Sequence, residues 1–225
     1  MREALEAAGA LALSLPLPAT AWSKPSATAL AGSLADRACS LGFKGRIRKN
    51  SLRGELEKRF SQRPTEGKPN WIIDSAPKSE ATSRRPGSRV LSTEQVLHNC
   101  TFNLVVPGDR PQSYRYGEAM CGGGIPLMLQ PANISRWWVF PYPVIHPFST
   151  YGLEAANVTS IPGLLHALND TRREELRRAA ARTCEVTFSS TEAQLQALIE
   201  SVMRLTRHVP LHRQGIVTAC PTGDN

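Results

Sequence analysis

Residues 102–130 read FNLVVPGDRPQSYRYGEAMCGGGIPLMLQ, and this stretch decides the fold. Residues 103–106 form a short apolar run closed by Pro107-Gly108, the pattern of a buried strand that ends in a loop. Ser113 is placed to cap a helix that carries Tyr114, Gly117 and Met120 near one face. Cys121-Gly122-Gly123-Gly124 stops that helix, and residues 125–129 are a second apolar run of the length of a parallel strand. Strand, helix, strand within one short span implies a crossover unit. Arg115 and Glu118 lie three apart on one face, in the first turn of the helix. Open α/β sheets bind ligands beyond the carboxyl ends of their strands, where helices begin.

The same residues carry a family resemblance. Ser113-Tyr114-Arg115-Tyr116-Gly117-Glu118-Ala119-Met120, followed by Gly123-Gly124-Ile125-Pro126-Leu127, resembles the exostosin-type glycosyltransferase signature. That signature runs roughly F-x-L-x-P-x-G, then S-x-R-x-x-E-A, then G-x-I-P-V. The family often has an extra residue, commonly Arg, between the Pro and Gly of its loop; here Pro107 and Gly108 are adjacent. The resemblance implies the C-terminal half of a two-domain GT-B fold, holding the nucleotide part of a UDP-sugar. Exostosin-like enzymes are inverting transferases that build heparan sulfate or cell-wall polysaccharides, so a glycan or glycoprotein acceptor is implied. Retaining GT-B enzymes often carry two glutamates eight positions apart at this point, and Pro126 occupies the second position. The resemblance also implies the Golgi lumen or secretory pathway. Any membrane tether would belong to a longer parent, since no run here reaches the length of a membrane span.

The residue types suit a nucleoside diphosphate. Arg115 supplies charge and a bidentate hydrogen-bonding fork to phosphate, and is the residue expected to stabilise the leaving diphosphate. Glu118 can accept hydrogen bonds from both ribose hydroxyls, each contributing on the order of 1.5–3 kcal/mol because the acceptor is charged. Gly123 and Gly124 allow close backbone approach to a ligand. Ser113 completes the motif, and Arg53 matches the Arg that opens an earlier helix of the family. The expected donor-binding set is therefore Ser113, Arg115, Glu118, Gly123, Gly124 and Arg53, with Arg115 catalytic. The competing structural account is a plain Arg115–Glu118 salt bridge on a helix face, worth about 0.3–0.5 kcal/mol. No Asp-x-Asp motif is present, so neither metal nor cofactor is implied beyond the UDP-sugar itself. The base that takes the acceptor proton is expected from the family's N-terminal half. Two alternatives stay open: a nucleotide-sugar-binding remnant without turnover, and a basic nucleic-acid-binding protein, for which no nucleic-acid motif speaks.

The 225 residues are 41% hydrophobic, enough for a core, and carry a net charge of +8, which favours polyanions without choosing among them. Cys39, Cys100, Cys121, Cys184 and Cys220 are scattered without a CxxC pair, which argues against zinc and against a dense disulfide framework. Asn99, Asn133, Asn157 and Asn169 each begin an N-x-[ST] acceptor sequon, which supports a secretory lumen.

Outward from the motif, residues 1–23 admit two readings. An apolar run with Ala19-Thr20-Ala21 fits a signal peptide, but Glu3 and Glu6 sit where positive charge is expected. Leu13-Ser14-Leu15-Pro16-Leu17-Pro18 instead resembles the proline-rich strand that precedes the exostosin C-terminal half. Residues 35–41 read as a short helix or strand entry, and residues 50–60 as a helix with Leu52, Leu56 and Phe60 at helical spacing. Residues 71–74 read as a strand, 78–89 as a loop, and Ser92 to Gln95 has capping-box spacing. Trp137 and Trp138 are candidates for sugar stacking or for the core, and His146 for a general base or a packed imidazole. Residues 161–168 begin a helix with Pro162 near its start. Residues 171–184 read as an exposed helix charged on most faces, with Glu174 and Arg178 paired. Residues 191–204 read as an amphipathic helix with Leu195, Leu198, Ile199 and Val202 inward.

The expected fold class is α/β, a Rossmann-like parallel sheet with helices on both faces. The expected organisation is an N-terminal extension or linker (1–34), a nucleotide-sugar-binding domain (35–209) and a tail (210–225).

Overall fold

The computed structural model describes residues 32–45, 47, 51–60, 71–75, 92–107, 115–129 and 145–207. These residues form a five-stranded, wholly parallel sheet with helices on both faces, as expected of a Rossmann-like α/β fold. The strands are β1 (Cys39–Gly45), β2 (Trp71–Ser75), β3 (Cys100–Val105), β4 (Ile125–Leu129) and β5 (Leu153–Ala155), in the spatial order β2-β1-β3-β4-β5. The helices are α1 (Leu52–Phe60), α2 (Thr93–Asn99), α3 (Arg115–Cys121), α4 (Ile161–His166), α5 (Asp170–Thr187) and α6 (Thr191–Arg207). None of the described helices is long and apolar enough to cross a membrane.

The strand order reverses between β1 and β3, so the chain leaves β1 toward one edge and leaves β3 toward the other. That reversal opens a crevice beyond the carboxyl ends of β1 and β3. The register pairs Gly42 with Asn103 and Phe102 with Ile125, which brings the ends of these strands level.

The core divides by sheet face, as the pleat requires. Leu41, Phe43, Phe102, Leu104, Leu127 and Leu129 pack with Leu56 and Phe60 of α1 and Ile161 and Leu165 of α4. Val105 and Met128 point the other way, to Tyr116 and Met120 of α3 and Ala180 and Cys184 of α5. Successive strand residues are buried on opposite faces, hence the continuous apolar runs of β3 and β4.

Local signals act as expected at several helix starts. Ser92 and Gln95 form a reciprocal capping box at α2. The Ser51 hydroxyl accepts from the Gly54 N–H at 3.3 Å before α1. Pro162 lies in the first turn of α4.

Other expectations need correction. Residues 35–41 hold both alternatives in turn, a short 3-10 helix (Leu34–Asp36) and then the opening of strand β1. β5 is a fifth strand, too short at three residues to show alternation. α5 is exposed over much of its surface but buries one face, made of Leu176, Arg177, Ala180, Thr183, Cys184 and Thr187. The inward face of α6 is also different. Leu195 and Ile199 are 55% and 44% exposed, while Ala197 and Ser201 are buried. Leu198 and Val202 are half-buried, so the expected inward face holds only in part. The expected loop at 78–89 and the Trp137-Trp138 pair lie outside the described residues.

Among the described residues two disulfides cross-link the fold. Cys39–Cys100 links adjacent strands β1 and β3, and Cys121–Cys184 links the end of α3 to α5. Spacing left the pairing open, because each bridge spans more than sixty residues and only the fold brings its ends together.

Candidate functional site

The site is built around the crevice between β1 and β3. Arg53 stands in the first turn of α1, just after β1. Its Nη2 donates to the Val106 carbonyl at 3.3 Å, directly past the end of β3. Its guanidinium also lies 5.6 Å from the centre of the Phe43 ring. Arg53 therefore ties the start of α1 to the end of β3 across the reversal point, although Arg53 and Val106 are far apart in sequence.

Arg115 opens α3, on the other side of β3. Arg115 Nη1 donates to Glu118 Oε2 at 2.5 Å. The expected pair thus exists, but not as a solvated surface bridge: the side chains are only 18% and 5% exposed. All residues of α3 but Arg115 are buried, because the helix is pressed between the sheet and α5. Burial pushes the Glu118 carboxyl above its usual range, and the charge and hydrogen bond of Arg115 pull it back in part. A buried carboxylate with a single cationic partner retains acceptor capacity for a hydroxyl-rich ligand. A small cleft lined by Gly42, Phe43, Lys44, Val96, Leu104 and Ala119 reaches Arg115.

Gly123 and Gly124 are not at this end of the sheet. α3 runs back across the sheet, so the glycines follow it at the amino end of β4. Gly123 takes a φ of 76°, which favours glycine. A Cβ on Gly124 would sit 2.6 Å from Asn103 Nδ2 and 3.0 Å from the Cys100 carbonyl. Here the missing side chains serve the close packing of a turn against β3, rather than the approach of a ligand at the Arg115 end. Ser113 lies outside the described residues.

The residue that holds this turn was not singled out by any sequence pattern. Arg37 Nη2 donates to the Gly123 carbonyl at 2.7 Å. Arg37 Nη1 donates to the carbonyls of His98 at 2.7 Å and Cys100 at 2.9 Å, with Leu97 at 3.3 Å. One guanidinium thus collects the last carbonyls of α2 and the turn after α3. Burial, with the positive charge of Arg177, pushes its pKa down to about 10 against the pull of Glu174. A lone arginine before a strand gives no local signal of such a role.

A larger groove of about 630 Å³ lies at the amino end of the sheet, by Ser33, Thr101, Arg173 and Arg177. It is away from the crevice, and its charges are engaged with one another. Glu174 accepts from Arg177 at 2.7 and 2.8 Å and from Arg178 at 2.9 Å, and Asp170 pairs with Arg173 at 3.1 Å. Size alone therefore does not choose the functional end. His146 is half-buried beside α6, where burial lowers its pKa while Glu200 raises it and Arg204 lowers it.

No family model matches the chain. Among curated proteins, exostosin-1a of Danio rerio is 29% identical over 118 residues, covering 51% of this chain and 16% of the relative. The exostosin-1 homolog of Caenorhabditis elegans is 28% identical over 114 residues, covering 50% of this chain and 28% of the relative. Exostosin-1 of Mus musculus is 26% identical over 118 residues, covering 51% of this chain and 15% of the relative. The chain is thus distantly similar to exostosins over half its own length, and the similarity spans less than a third of each relative.

Proposed function

We propose that this chain is the nucleotide-sugar-binding half of an exostosin-like glycosyltransferase, which transfers a sugar from a UDP-sugar to a glycan or glycoprotein acceptor with inversion. The observation that carries this reading is the part-buried Arg115–Glu118 pair beside the β1/β3 crevice. A buried ion pair is a costly way to gain stability, because desolvation offsets most of the attraction. A ligand that offers phosphate to the cation and hydroxyls to the carboxylate would use both groups. In the proposed complex Arg115 and Arg53 hold the diphosphate, and Glu118 accepts from the ribose hydroxyls. Ser113, two residues before Arg115 in sequence, belongs to the proposed donor-binding set; Gly123 and Gly124 act as framework. As the bond from sugar to diphosphate breaks, charge grows on the leaving phosphate, and Arg115 stabilises it. The acceptor site and the base come from the part of such an enzyme that this stretch does not match. The secretory lumen is the proposed location, in keeping with the two disulfides.

Titration calorimetry of UDP against the purified chain tests the reading, with Arg115→Ala and Glu118→Ala compared after their folding is checked by circular dichroism. The expected result is binding by the native chain and at least tenfold weaker binding by each folded variant, about 1.4 kcal/mol or more. Equal affinity in all three would refute the assigned roles. Consumption of UDP-sugar in the presence of acceptor then separates a transferase from a binding remnant.

A further inference from the structure

We propose that Asn157 and Asn169 are acceptors of N-linked glycans, and that Asn99 is not. The inference stands apart from the nucleotide reading and uses different residues. Asn157-Val158-Thr159 and Asn169-Asp170-Thr171 are both acceptor sequons. In both, the asparagine and the threonine are exposed in the folded chain.

The two side chains also share a polarity. Asn157 Oδ1 accepts from the Ser160 N–H at 2.9 Å and from the Thr159 hydroxyl at 2.7 Å. Asn169 Oδ1 accepts from the Arg172 N–H at 2.8 Å. Each oxygen is turned to the protein, and neither Nδ2 makes a hydrogen bond among the described residues. Glycosylation uses that nitrogen. Nδ2 bonds to the anomeric carbon of a lipid-diphosphate-linked oligosaccharide, the anomeric C–O bond breaks, the lipid diphosphate leaves, and Nδ2 gives up one proton. The product keeps its amide oxygen, so both hydrogen-bonded turns survive with a glycan pointing outward.

Asn99 differs in exposure. It is half-buried where α2 passes into β3. The middle residue of its sequon is Cys100, fully buried and bonded to Cys39. A glycan there would sit against the strand pair that this bridge closes. The bridges themselves are a second, independent observation. Two disulfides within one chain of this length belong to an oxidising compartment, which is where such sequons are modified.

The test is glycopeptide mapping of the full chain produced in a eukaryotic secretory host. Peptide N-glycosidase in heavy-oxygen water converts each formerly glycosylated asparagine to labelled aspartate, which mass spectrometry locates. Label at both Asn157 and Asn169 and none at Asn99 is the expected result. Thr159→Ala and Thr171→Ala should each abolish label at its own site and leave the other, while the asparagine that caps the turn stays in place. Absence of label from either asparagine, or label at Asn99, overturns the proposal. UDP affinity plays no part in this readout, so the two readings fail separately.

Discussion

Arg37→Ala should be among the most destabilising substitutions of a partly exposed side chain in this protein. Each Nη carries two hydrogens, so Nη1 makes strong bonds to the carbonyls of His98 at 2.7 Å and Cys100 at 2.9 Å, and Nη2 to that of Gly123 at 2.7 Å. Hydrogen bonds from a charged donor contribute about 1.5–3 kcal/mol each, so these three sum to roughly 4.5–9 kcal/mol before offsets. Two offsets apply. The guanidinium gives up hydration, as its pKa of about 10 records, and truncation admits water to carbonyls that are only part-buried. A net loss of about 2–4 kcal/mol remains. For a chain of this size each kcal/mol lowers Tm by about 2–4 °C, so the melt should fall by about 4–16 °C. The assay is urea and thermal unfolding with both disulfides oxidised. Arg37→Lys should recover less than half of the loss, because an ammonium cannot fork between α2 and the Gly123 turn. A loss below about 1 kcal/mol for Arg37→Ala would refute the reasoning, since water would then replace the guanidinium at little cost.

Two further outcomes are expected. Glu118 holds its proton to a higher pH than an ordinary carboxyl, and only the ionised form accepts from both ribose hydroxyls. UDP affinity should therefore be full above the raised pKa and fall as pH drops through it, whereas Glu118→Gln should bind more weakly without that step; calorimetry across pH checks both. Replacing Cys121 and Cys184 together by Ala opens a loop with a sequence separation of 63. Loop entropy gives about 4 kcal/mol, and a loss of about 2–4 kcal/mol is expected in urea unfolding, where an unchanged midpoint would show that the bridge does not constrain the unfolded chain.

The stretch 102–130 carried its own structure because its signals are local. An apolar run, a turn and a second run specify strand, helix and strand whatever surrounds them, and β3, α3 and β4 appear where the pattern places them. The Ser92–Gln95 capping box works for the same reason, since its two bonds join residues three apart. Arg115 and Glu118 were legible as neighbours, because helical spacing alone sets them on one face. Their burial was not, because it depends on elements distant in sequence that pack around α3. α6 shows the limit of periodicity: spacing marks one apolar side, yet Leu195 and Ile199 of that side are exposed while Ala197 and Ser201 are buried.

By itself the sequence determined the α/β class, the order of the main elements, the paired arginine and glutamate, and the acceptor sequons. Each of these depends on residue type and on spacing within a few positions. Only the tertiary structure decided the strand order β2-β1-β3-β4-β5, and hence the crevice that Arg53 spans to Val106. It also decided the two disulfide partners, the carbonyls gathered by Arg37, and the separation of the Gly123 turn from Arg115. These depend on contacts between residues distant along the chain, whose closure is favourable only once the sheet has brought them together.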